Sequence, residues 1–179
     1  MAQTSVLALA ALCALLISGT GRPEAPALAA TASSAEPAFD REDVARFLEQ
    51  VNSALSPGQV ERISSAVMSN ANRFGLDPML VTQVLWVESG ARPWVRSPLG
   101  AIGLMQVMPY MADSLGMVGN PTTIEANVEA GCRILADNIS RLGEEDGISA
   151  YFWGSRIRGS RYLQRVRAAR DTVRRLTES

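Results

Sequence analysis

The chain contains neither histidine nor lysine, so all 17 of its cationic side chains are arginine. Without histidine, the usual zinc sites and Ser-His-Asp triads are excluded. Cysteine is scarce as well. Cys13 falls in an N-terminal apolar run, and a mature chain retaining only Cys132 can form no internal disulfide. Nothing basic beyond Arg133 lies near Cys132 in sequence to lower its pKa, which favours a small buried apolar residue on a helix over a nucleophile. Sustained period-2 alternation is missing, so strands are at most minor, and there is no internal repeat. The net charge of −1 excludes little by itself. Its distribution is uneven: from Ser155 onward eight arginines stand against Asp171 and Glu178, while the body before them is acidic.

At 179 residues the chain suits a signal segment followed by one globular domain with a real hydrophobic core. Val6 to Ile17 is an apolar run too short to span a bilayer comfortably and of signal-peptide length. Ala27-Leu28-Ala29 is a small-residue cleavage pattern, so residues 1–29 are expected to be a signal peptide and Ala30 the mature start. The pattern departs from type in having no Lys or Arg before Val6. Leu12 also stands where a lipoprotein would carry a small residue before Cys13. An uncleaved membrane anchor is the alternative, and either way the chain is expected to be exported, periplasmic or associated with the cell wall. Residues 30–38, small and polar, read as a disordered lead-in.

From residue 39 to 179 the periodicity is helical. Val44, Phe47, Leu48, Val51 and Leu55 form one apolar stripe. Ser56-Pro57 reads as N-cap and first-turn proline of a second helix that presents Val60, Ile63, Val67 and Phe74 and closes at Gly75. Asp77-Pro78 repeats the start signal for a third, ending near Ser89-Gly90. Pro109 opens a short helix through Leu115, stopped by Gly116. Thr122 or Thr123 caps the next, with Ile124, Val128, Cys132, Leu135, Ile139 and Leu142 on its apolar face and Gly143 at its end. Glu144-Glu145-Asp146 reads as a solvated loop, Ile148 to Trp153 as a short helix. A last helix, Ser160 to Leu176, buries Tyr162, Val166, Ala169, Val173 and Leu176.

The most informative stretch is Glu88 to Pro109. Glu88 ends the apolar run Val84-Leu85-Trp86-Val87, and a loop then alternates glycine with bulky apolar residues and one amide, Gln106. Glycine lets backbone and ligand approach closely, because it adds no side chain and tolerates positive φ. An acid at the end of such a run is expected to be buried, and a helix C-terminus carries partial negative charge; both disfavour its carboxylate form. Such a carboxyl can hold a proton near neutral pH and donate it, as glycosidic cleavage requires. The bland reading is a surface glutamate closing an amphipathic helix. Gln106 is the clearest polar partner for sugar hydroxyls, since an amide both donates and accepts. No second acid sits in a comparable motif. Asp113 is expected on the exposed face of a short helix.

Glu88-Ser89-Gly90, Ser97-Pro98-Leu99-Gly100-Ala101 and Gly103-Leu104-Met105-Gln106-Val107-Met108-Pro109, at this spacing, resemble the catalytic core of the soluble lytic transglycosylases. The likeness continues more loosely through Asn127-Val128-Glu129-Ala130-Gly131 to Ala150-Tyr151 and covers roughly residues 76–166. It implies an all-α, lysozyme-like transglycosylase domain with little or no β structure, needing neither metal nor cofactor. It also implies an enzyme that cuts the β-1,4 bond between N-acetylmuramic acid and N-acetylglucosamine in the glycan strands of peptidoglycan. In that family one glutamate, here Glu88, protonates the glycosidic oxygen and then acts as base while the muramyl C6 hydroxyl closes on C1 as a 1,6-anhydro ring. A lone acid suits this better than hydrolysis, in which two carboxylates flank the bond.

By the same resemblance Ser97, Met105, Gln106 and Met108 line the cleft, and Tyr151 is the tyrosine whose hydroxyl approaches the acid. The methionines could equally fill core, Ser97 could be a turn residue, and Tyr151 a partly buried core tyrosine. The family usually reads Ala-Tyr-Asn-Ala-Gly where this chain has Ala150-Tyr151-Phe152-Trp153-Gly154. Either Phe152 meets a sugar by stacking, or the two aromatics pack inward. Two other functional readings stand beside the transglycosylase: a muramidase hydrolysing the same bond, and a non-catalytic glycan-binding or assembly protein of the same fold. A small enzyme of this kind could also serve a secretion, pilus or flagellar assembly locally. The C-terminal arginines either dock on an anionic wall polymer or partner, or solvate the outer face of a helix. Nucleic acid is not expected, for want of any binding motif.

Overall fold

The computed structural model describes residues 38–114, 116 and 121–178. The expected signal segment and nearly all of the lead-in lie outside these residues, as does the side chain of Asp113. The described helices belong to one unit, Glu36–Ser179.

Local capping chemistry sets most of the boundaries. Helix α1, Arg41–Val51, starts at Asp40, whose carboxylate accepts from the N–H groups of Glu42 and Asp43 while the Asp43 carboxylate accepts from the Asp40 N–H. Helix α2, Pro57–Phe74, repeats this reciprocal cap with Ser56 and Gln59. These bonds satisfy N–H groups that a helix start leaves without partners. Gly75 ends α2 in the left-handed region at φ 66°, where a side chain would be strained. Helix α3, Pro78–Ser89, begins at Asp77 and ends at Gly90 in the same conformation, as its sequence predicts. Helices α4, Pro109–Ser114, and α5, Ile124–Leu142, follow, the latter capped by Thr123.

Helix α6 corrects one expectation. Glu144, Glu145 and Asp146, predicted as a solvated loop, are exposed but form the first turn of a helix, Glu144–Trp153. Three acids at that position oppose the positive end of the helix dipole. Gly143, at φ 80°, closes α5 and opens α6 at once, leaving no room for a loop. The turn brings the two helices close enough that a Cβ on Gly147 would lie 2.5 Å from the Ile139 Cα. Helix α7, Arg161–Thr177, packs across α1, α3 and α6.

Helix α3 is the centre of the packing. Met79, Val81, Thr82, Gln83, Val84 and Leu85 are all buried along it, so it shows several faces to the protein instead of a single stripe. On one side it joins a core of Val44, Leu48, Ile63, Val67, Leu104, Leu135 and Val166. On the other, Phe47, Met79 and Val173 form a smaller cluster, with Trp86 edge-on to Phe47 at 5.6 Å between ring centroids. Strand structure among the described residues amounts to two isolated antiparallel bridges, Arg96 with Ile102 and Ile102 with Val107. The domain is all-α.

Candidate active site

The loop between α3 and α4 is held as a wall rather than left free. Ile102 and Val107 exchange both backbone hydrogen bonds at 3.0 Å, the Ser97 N–H reaches the Ala101 carbonyl, and the Gly103 N–H reaches that of Val95. Asn127 on α5 fastens it to the core. Its side-chain oxygen accepts from the Met105 N–H at 2.9 Å, and its amide donates to the Ile102 and Pro121 carbonyls at the same distance. Gly103 is required at this point: at φ 76° a Cβ would lie 2.5 Å from the Asn127 amide nitrogen. Asn127 falls within the looser part of the motif, yet its role as a clasp is not readable from spacing.

This wall, the end of α3 and the end of α6 enclose a cleft of ≈ 440 Å³ lined by Glu88, Ser97, Gln106, Met108, Tyr151 and Phe152 among others. Five of the six residues expected beside Glu88 therefore gather with it. Met105 does not. It is fully buried and lies over Gly131 of α5, where a Cβ would fall 2.4 Å from its sulfur. Core packing claims its side chain, and only its backbone carbonyl faces a site residue.

The tyrosine expectation divides in two. Tyr151 lines the cleft, but its hydroxyl donates to the Met105 carbonyl at 2.8 Å. The hydroxyl that donates to Glu88 belongs to Tyr162, in the first turn of α7, at 2.5 Å from Oε1. Tyr162 reads in the sequence as one more buried position of an amphipathic helix. Seventy-four residues separate it from Glu88, and no local signal links them.

Glu88 is partly buried, and loss of water pushes its carboxyl above the ordinary carboxylate range. The Tyr162 hydrogen bond and the nearby Arg165 charge work against that rise without cancelling it. Burial, then the charge of Glu88, push both Tyr151 and Tyr162 well above a tyrosine's usual value, so both remain hydrogen-bond donors. Cys132 is buried on α5 and its thiol is pushed up to about 12 by burial, which removes it as a nucleophile.

The polar groups of the cleft are partly spent on its own architecture. Gln106, itself at φ 47°, donates through its amide to the Val95 and Gly103 carbonyls at 3.2 and 3.0 Å. Its side-chain oxygen is left as an acceptor. The Ser97 Oγ accepts from the Ala101 N–H, which makes it a turn residue and a cleft residue together, with its own proton still to donate. Phe152 is 53% exposed and stacks on Tyr162, with centroids 5.1 Å apart and planes 16° from parallel. It meets Trp153 edge-on at 5.0 Å. Among the described residues Glu88 is the sole carboxylate lining the cleft, and no cluster of three or more acids or cysteines could hold a metal ion.

The family model described as the transglycosylase SLT domain matches residues 65–171. A transglycosylase of Enterobacteria phage PRD1 is 39% identical over 84 residues, covering 46% of this chain and 31% of that protein. The membrane-bound lytic murein transglycosylase F of Desulfosudis oleivorans is 31% identical over 98 residues, covering 55% of this chain and 20% of that one. The chain thus spans less than a third of the length of either relative. Among solved structures, an inactive mutant of the lytic transglycosylase Slt from Pseudomonas aeruginosa aligns over 63% of this chain and 22% of that one. The TM-score is 0.45 and the identity 19%.

Proposed function

Because the chain belongs to the transglycosylase SLT family, we propose that it is a lytic transglycosylase of peptidoglycan, with Glu88 as its acid and base. The observation that carries this reading is a single carboxyl, raised by burial, as the one acid lining the cleft among the described residues. Protonated Glu88 gives its proton to the oxygen joining N-acetylmuramic acid C1 to N-acetylglucosamine C4. The C1–O bond breaks and the glucosamine leaves with a free hydroxyl. The Glu88 carboxylate then takes the proton of the muramyl C6 hydroxyl, whose oxygen closes on C1. Glu88 ends protonated, and no water is consumed.

The rest of the cleft fits a sugar polymer. The Gln106 oxygen and the Ser97 hydroxyl offer one acceptor and one donor to hydroxyl or acetamido groups. Phe152, half exposed in the cleft lining and with one face already on Tyr162, leaves ring surface open, which supports stacking in place of the amide usual at that position. Met108 supplies apolar wall. Tyr162 fixes the orientation of the carboxyl and steadies it while it is ionised between the two proton transfers. The substrate lies outside the cytoplasmic membrane, so export belongs to this reading and cell fractionation checks it.

The test is mass spectrometry of purified peptidoglycan digested with wild type and with Glu88→Gln. Anhydro-muropeptides from wild type are expected, with the rate lowered about 10²–10⁴-fold in the variant. Reducing ends that depend on Glu88 would instead make the protein a muramidase. Release that ignores the substitution would remove Glu88 from the chemistry.

A further inference from the structure

A second cavity, of ≈ 610 Å³, adjoins the cleft and takes no part in the chemistry just described. Phe152 and Trp153 line both spaces, and Tyr162, which holds Glu88, lines the second. Its other walls are Arg158, Gly159, Ser160, Arg161, Gln164 and Arg165. No acid lines this cavity. Several arginines elsewhere on the surface meet acids: Arg62 binds Glu125, Arg73 binds Glu129, Arg141 binds Asp137 and Arg167 binds Glu145. Arg158 and Arg161 make no ion pair or hydrogen bond with any described residue, and Arg165 donates only to the Val87 carbonyl. The Trp153 indole N–H is buried and donates to nothing. Helix α7 also starts here without a side-chain cap.

Like charges gathered around one concavity repel one another and raise the local concentration of anions. An arginine fork presents paired donors matched to a carboxylate. An aromatic wall suits something larger than a bare ion. We propose that this cavity binds a carboxylate of the peptide stem that the muramic acid carries, with Arg158 and Arg161 as its ligands. The proposal rests on the reading of the adjoining cleft as a glycan site: a strand lying over Glu88 carries lactyl-linked peptides beside its sugar backbone, and this cationic cavity shares Phe152 and Trp153 with the cleft. The stem peptide would then select which muramic acid is presented to Glu88, so that strands carrying acidic stems are preferred over denuded ones.

The test measures binding and cleavage separately, on the full protein. Soluble muramyl tripeptide with free carboxylates, and the same compound with those carboxylates amidated, are titrated against Glu88→Gln and against the same protein carrying Arg158→Gln and Arg161→Gln. Tryptophan fluorescence is the readout. The acidic peptide is expected to bind Glu88→Gln at least about tenfold tighter than the amidated one, and the added substitutions to abolish that difference. Both arginines are exposed, so circular dichroism should show an unchanged fold. Equal affinity for the two peptides, or a preference that survives the arginine substitutions, overturns the proposal. Cleavage is then followed with otherwise wild-type protein on intact sacculi and on strands stripped of stems by an amidase. The arginine substitutions should slow the first about tenfold and leave the second unchanged. Equal slowing on both substrates also overturns it. A protein that binds the acidic peptide selectively yet releases no anhydro product would refute the activity and leave this site standing.

Discussion

Glu88 and Tyr162 oppose one another across 2.5 Å. Burial favours the neutral carboxyl, whereas the phenol hydrogen bond favours the carboxylate. Tyr162→Phe should therefore lift the Glu88 pKa further and move the alkaline limb of the pH–rate profile to higher pH. The maximal rate should fall as well, because the carboxyl loses its orientation. A profile unchanged in position would deny the hydrogen bond any part in tuning the acid. The same shift has a consequence for stability. A carboxyl whose folded-state pKa is raised contributes stability below its ordinary value of 4.5, and that contribution is lost as pH rises through the raised value. Glu88→Gln, which cannot ionise, should melt higher than wild type at neutral pH, and the gap should close as the pH falls below the ordinary carboxylate range. Thermal melts across that window check it. Of these two residues only Glu88 is legible in sequence, because its surroundings are local: three apolar neighbours before it and a glycine turn after it. Tyr162 acquires its role from the crossing of two helices far apart in the chain. Met105 shows the reverse difficulty. The family resemblance places it beside the cleft, and a glycine on another helix leaves room for its side chain in the core.

Among the elements, the loop from Ser97 to Val107 depends most on one outside residue. Asn127→Ala would strand the buried Met105 N–H and two carbonyls, at a cost of about 2–4 kcal/mol. Urea denaturation should show that loss, and activity should fall beyond it, since the wall bearing Gln106 is no longer pinned. The α5–α6 pair makes a second prediction. Gly147→Ala sets a methyl group against the Ile139 backbone, which cannot rotate away, and should cost about 1–3 kcal/mol by the same measurement. Helix starts and stops were largely legible because caps are chosen within four residues: Ser56, Asp77 and Thr123 all act where the sequence puts them. The exception is instructive. A run of acids after a glycine has the composition of a loop, and only the absence of any linker between α5 and α6 turns it into a helix start.

At the scale of the whole molecule, α7 supplies a side to both hydrophobic clusters, with Tyr162, Leu163 and Val166 in one and Val173 in the other. A chain ending at Gly159 should lose its sharp thermal transition while keeping much of its helical circular dichroism, since the capped helices persist but their common packing does not. Full-length protein should melt in one step through residues 38–178. The all-α class followed from periodicity alone, whereas the position of the last helix across α3 did not, because periodicity says which face is buried and not what covers it.

The distance along the chain between Glu88 and Tyr162 sets a clock. Helix α3, the loop and the α5–α6 pair can all form from nearby residues while the last helix is still being made. Until that helix docks, Glu88 lacks the Tyr162 hydroxyl and the nearby Arg165 charge, the two groups that favour its carboxylate form. On the reading proposed above, the final segment to arrive supplies the hydroxyl that orients the acid, and a chain halted one helix short should turn over more slowly.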